Sequence, residues 1–471
     1  MSTRNTTLAL VVLAALSACA LEPAPKPADY QAEALPGLQV PGQWTAAAEG
    51  TGPVADRWLA TFADPRLDAL VTEALANNLD LRVAAARVRV ASEYVSLADS
   101  TLYPQVNLLA RGGGKMGGDA TGLEGVGLFA DWELDLWGRL RAERAATDAS
   151  YESVVADTEF ARQSVAAMVA KAYFLAVEAT LQQRLAEQAV TASLQLATLA
   201  EQRERIGKGD GYDTALARAS VESYRDTVEK LGLSREQALR ALEVLVGRYP
   251  AADVDVPAQL ARPAGPPPAG LPSDLLERRP DVVAAERRVA AAFFGIQEAK
   301  AARLPTIKLT ASGTSLSSDM IVLEDLDQPV WSIGGSLLQP VFNAGALQTQ
   351  VRIRTAEQKQ AIAEYGRIGA RAFAEVEDAL SAESAAARRE DILGRTVAEN
   401  EKALGFAGQR YKVGSGDLRA VSQQQLATFG SSSALLRVQT ERLVQRVNLH
   451  LALGGGFDAA PAAAPFAKTE E

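Results

Sequence analysis

The sequence predicts an α+β membrane protein, with very long helices and a few short membrane strands, and two observations predict it. Two Pro-free helical runs, residues 139–206 and Ala346–Val413, stand at matching places in the two halves of the chain. Between them and the helices that precede them lie four segments of about ten residues that alternate apolar and polar side chains.

The chain opens with a targeting segment, residues 1–18. Arg4 gives a positive start, and residues 8–16 form an apolar core too short to span a bilayer for good. The stretch LSAC at 16–19 has the form of a lipobox, and Cys19 is the only cysteine of 471 residues. Lipidation at Cys19 is therefore expected. Residue 20 is Ala, not the Asp of an inner-membrane retention signal. Residues 19–56 are rich in Pro, Ala and Gly and read as an extended, lipidated linker. A second, Pro-rich linker at 259–271 divides the chain, and 457–471 reads as an Ala/Pro tail.

The remaining spans, 57–258 and 272–456, repeat one another. Each opens with a helical stretch, from Leu67 to about Ser100 and from Leu275 to about Arg303. Each then runs through Pro104 or Pro305 into alternating segments and a turn, LWG at 136–138 and FNAG at 342–345. Each long helical run ends at a Gly pair, Gly207-Lys208-Gly209-Asp210 and Gly414-Ser415-Gly416-Asp417, an offset of 207 residues. A repeat this long means duplication of a whole unit rather than a solenoid. The run 139–206 holds neither Pro nor Gly and would extend roughly 100 Å as helix. Ala and small polar residues dominate both runs, which suits close packing in a coiled coil or helical barrel. A long spectrin-like bundle would explain the helices alone.

The alternating segments argue against that bundle. In 126–134, Val126, Leu128, Ala130, Trp132 and Leu134 take one face, with Asp131 and Glu133 on the other. In 305–313, Ile307, Leu309 and Ala311 oppose Thr306, Lys308, Thr310 and Ser312. In 330–337, Trp331, Ile333 and Leu337 oppose Ser332 and Ser336, while 105–112 alternates less cleanly. This is the pattern of membrane β-barrel strands, lipid outside and water inside. Four strands cannot close a barrel, and lipid tolerates no open sheet edge. Other copies of the chain must complete the structure.

Composition excludes several functions. The formal charge of −10 speaks against nucleic acid as a partner. One Cys and one His cannot make a disulfide or a zinc site, and no cofactor or metal is expected. His450 lies in an apolar-periodic stretch and reads as packed rather than catalytic. The glycines at 207–211 and 454–456 lack the strand–loop–helix context of a phosphate loop. Glu133 and Asp135 sit at a strand end beside Trp132 and Trp137, which suit a membrane interface, and read as solvated charges rather than an acid/base pair. No enzymatic activity is expected.

Seven stretches resemble the outer-membrane efflux proteins, the TolC-like family, in its lipidated nodulation/multidrug-efflux branch: WLATFAD at 58–64, ALANNLDL at 74–81, WELDLWG at 132–138, LPSDLLERRPDVV at 271–283, PVFNAG at 340–345, YKVG at 411–414 and ALGGG at 452–456. The resemblance implies a homotrimeric channel of a Gram-negative outer membrane, with a shared β-barrel to which each chain gives four strands, a long periplasmic α-helical barrel and an equatorial belt. It implies outer-membrane lipid, a periplasmic adaptor (membrane fusion) protein and an inner-membrane pump of the resistance-nodulation-division type as partners. The function would be a passive exit duct of a tripartite efflux system for drugs or other toxic small molecules. An outer-membrane channel for type I protein secretion, or a lipid-anchored periplasmic coiled-coil scaffold without a pore, are the rival readings. Under this resemblance Gly207, Lys208, Gly209, Gly414, Ser415 and Gly416 form the tip that meets the adaptor. Asp417, Asp210 and Asp213 are the candidate acidic lining of a closed gate, with helix capping as the alternative role for an Asp there. Arg203 and Arg410 are candidates for ion pairs that hold the gate shut. Where one branch of the family has a second Asp a turn further on, this chain has Ala420 and Gln423, which removes the case for a double acidic ring.

Overall fold

The computed structural model describes residues 21–46, 54, 57–111, 123–262, 265, 268–270, 272–318 and 330–456. The expected signal segment with Cys19 and the expected tail lie outside them. Nine α-helices stand among the described residues: α1 Pro27–Ala34, α2 Pro65–Asn77, α3 Leu79–Ser100, α4 Arg139–Arg205, α5 Gly211–Val246, α6 Leu275–Arg278, α7 Pro280–Ala301, α8 Ala346–Val413 and α9 Leu418–Ala452. Four strands, β1 Gln105–Arg111, β2 Leu123–Leu134, β3 Thr306–Ser318 and β4 Val330–Leu338, form one antiparallel sheet in the order β1-β2-β3-β4. Contacts divide the chain into two units that cut across the repeats. One gathers the chain up to Leu38 with Ala85–Asp157 and Asp281–Gly369; the other gathers Gln39–Ala84, Thr158–Pro280 and the chain from Ala370.

The first unit holds the sheet, and its register explains the alternation. Val106 lies opposite Ala130, Leu108 opposite Leu128, Trp132 opposite Leu309, Leu134 opposite Ile307, and Ala311 opposite Ile333. Directly opposed residues share a face, so the apolar positions of all four strands coincide on one side. Asn107, Asp131, Glu133, Lys308, Thr310, Ser312, Ser332 and Ser336 take the other. There Glu133 faces Lys308, and the Ser312 and Ser332 hydroxyls meet at 2.7 Å. The apolar face is bare in the single chain, with Trp331 75% and Ile333 91% exposed. The weak alternation of β1 has a local cause. Leu109 sits on the polar side opposite Gly127, where the Phe129 ring covers the glycine so closely that a Cβ there would come within 2.9 Å of it.

Within the same unit, the expected N-terminal linker is ordered over its described part. Tyr30 of α1 packs edge-on against Tyr365 at 5.3 Å, and α1 ends so close to α8 that a Cβ on Gly366 would collide with the Ala34 carbonyl. In the second unit, the Thr45 and Ala46 amides each donate to the Glu377 carboxylate at 2.8 Å, and Trp44 Nε1 donates to the Ala269 carbonyl. The expected extended linker thus contains a helix, α1, and beyond it the described chain is held by a few specific bonds.

The second unit is a helical core. Trp58, Phe62, Leu67 and Val71 pack with Val165, Tyr173, Phe174 and Val177 of α4, Leu239, Leu242 and Val246 of α5, and Leu443 and Val447 of α9. α4 is the one described helix long and apolar enough to cross a membrane by composition, and these buried residues put its apolar stretch to use as core. The opening helical stretch of each repeat is broken where one helix was expected. Asn78 separates α2 from α3; its Oδ1 accepts from the Asp80 and Leu81 amides as an N-cap. Arg279 separates α6 from α7 because Pro280 drives the preceding residue into extended backbone. The two breaks do the same work: Asn78 Nδ2 donates to the Leu245 carbonyl at the end of α5, and Arg279 Nη1 to the Ala452 carbonyl at the end of α9. Those carbonyls are 207 residues apart, the repeat offset.

The repeats diverge at the matched positions Glu243 and His450. Glu243 is fully buried and accepts from the Ala252 and Asp253 amides at 2.7 and 2.8 Å; burial alone would raise its pKa, but these bonds bring it below the usual carboxylate range. His450, 2% exposed, stacks on Trp58 at 5.6 Å, and neither ring nitrogen has a hydrogen-bond partner among the described residues. Arg446, one turn away, is buried against Glu383 at 2.7 Å. Burial first, then the Arg446 charge, pushes the His450 imidazole down to about 4. The unfolded chain takes up a proton near pH 6.5 that the folded chain refuses. The contribution of this histidine is therefore full above pH 6.5 and is lost as the pH falls toward 4, about 3 kcal/mol over that window. His450→Phe, which keeps the stack, should show a shallower fall of Tm between pH 6.5 and 4 than wild type; circular dichroism melts across that range check it, and parallel slopes would exclude the buried neutral imidazole.

Candidate gate at the paired helix turns

The turns that close α4–α5 and α8–α9 are built from the same parts. Lys208 N donates to Arg203 O at 2.8 Å and Gly207 N to Glu204 O at 3.0 Å; Ser415 N donates to Arg410 O at 3.0 Å and Gly414 N to Tyr411 O at 3.1 Å. These are paired Schellman closures, and the left-handed residue each needs is Gly207 or Gly414, with φ of 69° and 85°. Gly209 and Gly416 serve a different purpose. A Cβ there would stand 3.1 Å from Glu204 N or 2.9 Å from Tyr411 N, so only glycine lets the chain turn back this closely. Asp210 and Asp417 then cap the return helices, accepting from the Asp213 and Arg419 amides at 2.9 Å.

The two turns meet across their side chains. Arg203 Nη1 donates to the Tyr411 carbonyl at 2.6 Å and Nη2 to the Lys208 carbonyl at 3.0 Å, while its guanidinium carbon lies 4.7 Å from the centre of the Tyr411 ring. Across from it Arg419 lies 5.8 Å from the Tyr212 ring centre and donates to the Tyr212 hydroxyl at 3.4 Å. Leu196, Ala197, Ala200, Ala217, Val221, Leu418 and Val421 make the small core beneath, with Tyr411 among them.

The three carboxylates are brought close enough to act on one another. Burial raises the Asp213 pKa above the usual range, and the charges of Asp210 and Asp417 raise it further. The Tyr411 hydroxyl has no close hydrogen-bond partner among the described residues, and its pKa is raised by burial first, then by the charge of Asp213 and, less, of Asp210. Arg203 thus bonds two carbonyls and lies over a ring inside the chain, while its charge acts on the nearby Asp213 in the lowering direction. Arg410, its repeat equivalent, is exposed, and its guanidinium has no hydrogen bond or ion pair among the described residues. Lys208 and Ser415 stand exposed on the turns. Sequence reasoning named Tyr411 only as part of a resembling stretch, without a role, and passed over Tyr212 and Glu204. The signal lay in the 207-residue offset, which aligns Glu204 with Tyr411 and Tyr212 with Arg419 and exposes where the repeats differ.

At the sheet, Trp132 Nε1 donates to the Leu102 carbonyl and Trp137 Nε1 to the Pro305 carbonyl, both at 2.8 Å. Each indole is anchored by its polar edge with its apolar body outward, which suits a membrane interface. Glu133 pairs with Arg139 at 3.0 Å, and Asp135 with Arg141 at 3.1 Å while also accepting the Leu140 and Arg141 amides that open α4. Leu21, two residues after Cys19, lies against Gly138 in this turn.

Known proteins share this arrangement along nearly the whole chain. The family model described as "Outer membrane efflux protein" matches residues 70–248 and 271–455, the same twofold division as the repeats. The chain is 32% identical over 466 residues to the cation efflux system protein CusC of Escherichia coli O6:H1, covering 96% of this chain and 98% of that one. It is 30% identical over 482 residues to the pyoverdine export outer membrane protein OpmQ of Pseudomonas aeruginosa, covering 97% and 98%. The solved open state of the Neisseria gonorrhoeae MtrE outer membrane channel superposes with a TM-score of 0.79 at 30% identity, covering 90% of this chain and 97% of that one. The chain belongs to the outer membrane efflux protein family and has the fold of its TolC-like outer-membrane channels.

Proposed function

We propose that three copies of this chain assemble into a passive exit duct of a tripartite efflux system, carrying small toxic molecules out through the outer membrane. The observation that carries the reading is the sheet: one face is apolar along all four strands, the other is mostly polar, and among the described residues the outer edges of β1 and β4 are unpaired. Each unsatisfied backbone group costs several kcal/mol in lipid. The edges are satisfied if β4 of one copy pairs with β1 of the next, and three copies then give a closed barrel of about twelve strands with a wet interior. A coiled-coil scaffold without a pore has no use for such a face.

The similar proteins are described as exporting cations and pyoverdine, cargo with little chemistry in common. That variety supports a duct that leaves selection to the pump, and it supports small molecules over secreted protein. A periplasmic adaptor at the 207–211 and 414–417 turns and an inner-membrane pump of the resistance-nodulation-division type complete the machine. No catalytic step belongs to this reading: Glu133 and Asp135 are held by arginines and His450 is sealed in the core. Cys19 carries the lipid anchor. Native mass spectrometry of the detergent-purified protein should give three copies, each beginning at a lipid-modified Cys19. A folded monomer would refute the barrel, and an unmodified Cys19 would refute the anchor.

In this assembly the turns narrow the duct and copies of Asp417 line the aperture. In water, like charges a few Å apart repel by only about 1 kcal/mol per pair, so a carboxylate ring is affordable there and attracts cations. Asp417→Ala should lower the cation-to-anion permeability ratio severalfold in planar bilayers; an unchanged ratio would leave Asp417 with its capping role alone.

A further inference from the structure

The two repeats end their opening helices differently where the chain turns into the sheet. An offset of 201 residues relates Asn78 to Arg279 and Pro104 to Pro305, and it matches Asp99 with Lys300 and Leu102 with Arg303. Asp99 is paired with Arg144 of α4. The counterpart of Arg144 in α8 is Val351, which has no charge to offer. Lys300 and Arg303 are both exposed, and neither side chain has a hydrogen bond or ion pair among the described residues. The acids nearest to them are engaged elsewhere, Glu298 with Arg354 at 3.9 Å and Glu22 with Gln297.

The N-terminal segment marks the face of α7 that these cations share. Gln297 Nε2 donates to Glu22 Oε2 at 3.1 Å, and Leu21 lies 3.4 Å from where a Cβ on Gly138 would stand. Glu22 follows Cys19 by three residues, a reach of at most about 10 Å, so a lipid on Cys19 starts close to this face. Lys300 is three residues on from Gln297, on the same side of the helix. Arg303 closes the turn that follows, its amide donating to Lys300 O at 3.2 Å. Beside them Leu304 is exposed, and Trp137, whose Nε1 holds the Pro305 carbonyl, turns its apolar body outward. The apolar face of the sheet begins just beyond, with Ile307 opposite Leu337.

We propose that Lys300 and Arg303 form a headgroup site for an anionic phospholipid, in the leaflet to which Cys19 is anchored. This rests on the exit-duct reading above and on its lipid anchor. Basic side chains at such a boundary lay their stems along apolar surface and reach phosphates with their charged ends. A zwitterionic headgroup brings its own cation, so two unpaired cations favour a headgroup of net negative charge. The first repeat, with Asp99 and Leu102 at these places, offers no such site.

Native mass spectra of the full-length protein in detergent read copy number and bound lipid together. The protein is titrated with phosphatidylglycerol or with phosphatidylcholine of the same acyl chains. Wild type should retain phosphatidylglycerol over phosphatidylcholine by at least about fivefold, the scale of one basic side chain at an anionic lipid surface. Lys300→Gln with Arg303→Gln should lose that preference, and Lys300→Arg with Arg303→Lys should keep it. Lys230→Gln with Lys412→Gln, which removes two exposed cations of the other unit, should leave it unchanged. Equal retention of the two lipids by a wild-type trimer would overturn the site and leave the exit duct standing. So would a preference that survives the loss of Lys300 and Arg303, or one lost equally with Lys230 and Lys412. A protein found as single copies would overturn the duct itself, and the copy number in the same spectrum tells the two failures apart.

Discussion

Backbone hydrogen bonding in lipid is the constraint on which the structure depends. Among its described residues a single chain offers four antiparallel strands with two open edges and one bare apolar face. In water that face would aggregate, and in lipid those edges would be intolerable. Both problems vanish together when the edges join those of other copies and the face turns to the bilayer. The glycines of the sheet fit this demand. Gly313 on the apolar side lies under the Trp331 ring, where a Cβ would come within 2.7 Å, and Gly127 on the polar side lies under Phe129. Aromatic rings placed over glycines cover the backbone in a twisted sheet without adding bulk to either face.

Duplication supplies the rest. Each repeat gives two strands, a broken opening helix and a long helical hairpin, and each break is tied to the end of its own hairpin by one side-chain donor, Asn78 or Arg279. Where duplicated positions kept their chemistry, as at Asp210 and Asp417, they hold local structure. Where they diverged, as at Glu243 and His450 or Glu204 and Tyr411, one copy of the position binds polar groups and the other packs an aromatic surface.

Much of this was legible in the sequence, for physical reasons that can be named. The bounds of α8 and the start of α4 follow from the absence of Pro and from the glycine turns that stop them. Alternation in β2, β3 and β4 gave the two faces before any register was known. The break at Asn78 was missed although Asn77-Asn78-Leu79-Asp80 carries a cap signal, because only the partner carbonyl of Leu245 shows that the helix stops there rather than running on. The order of the 21–46 segment was equally hidden, since it depends on Gly366 and Glu377, more than 300 residues away. At the two helix turns, the glycines and the capping aspartates could be read from spacing. The grip of Arg203 on a backbone carbonyl could not, because a carbonyl leaves no mark in a sequence.

The claim that one face of this sheet meets lipid and the other meets water can be tested residue by residue along β4. Nitroxide labels placed singly at 331 through 337 in reconstituted protein report collision with oxygen, which concentrates in lipid, and with a water-soluble nickel complex. The account expects oxygen access to peak at Trp331, Ile333, Gly335 and Leu337 and nickel access at Ser332, Gly334 and Ser336, a strict period of two. Uniform nickel access along the strand would contradict it, and with it the barrel.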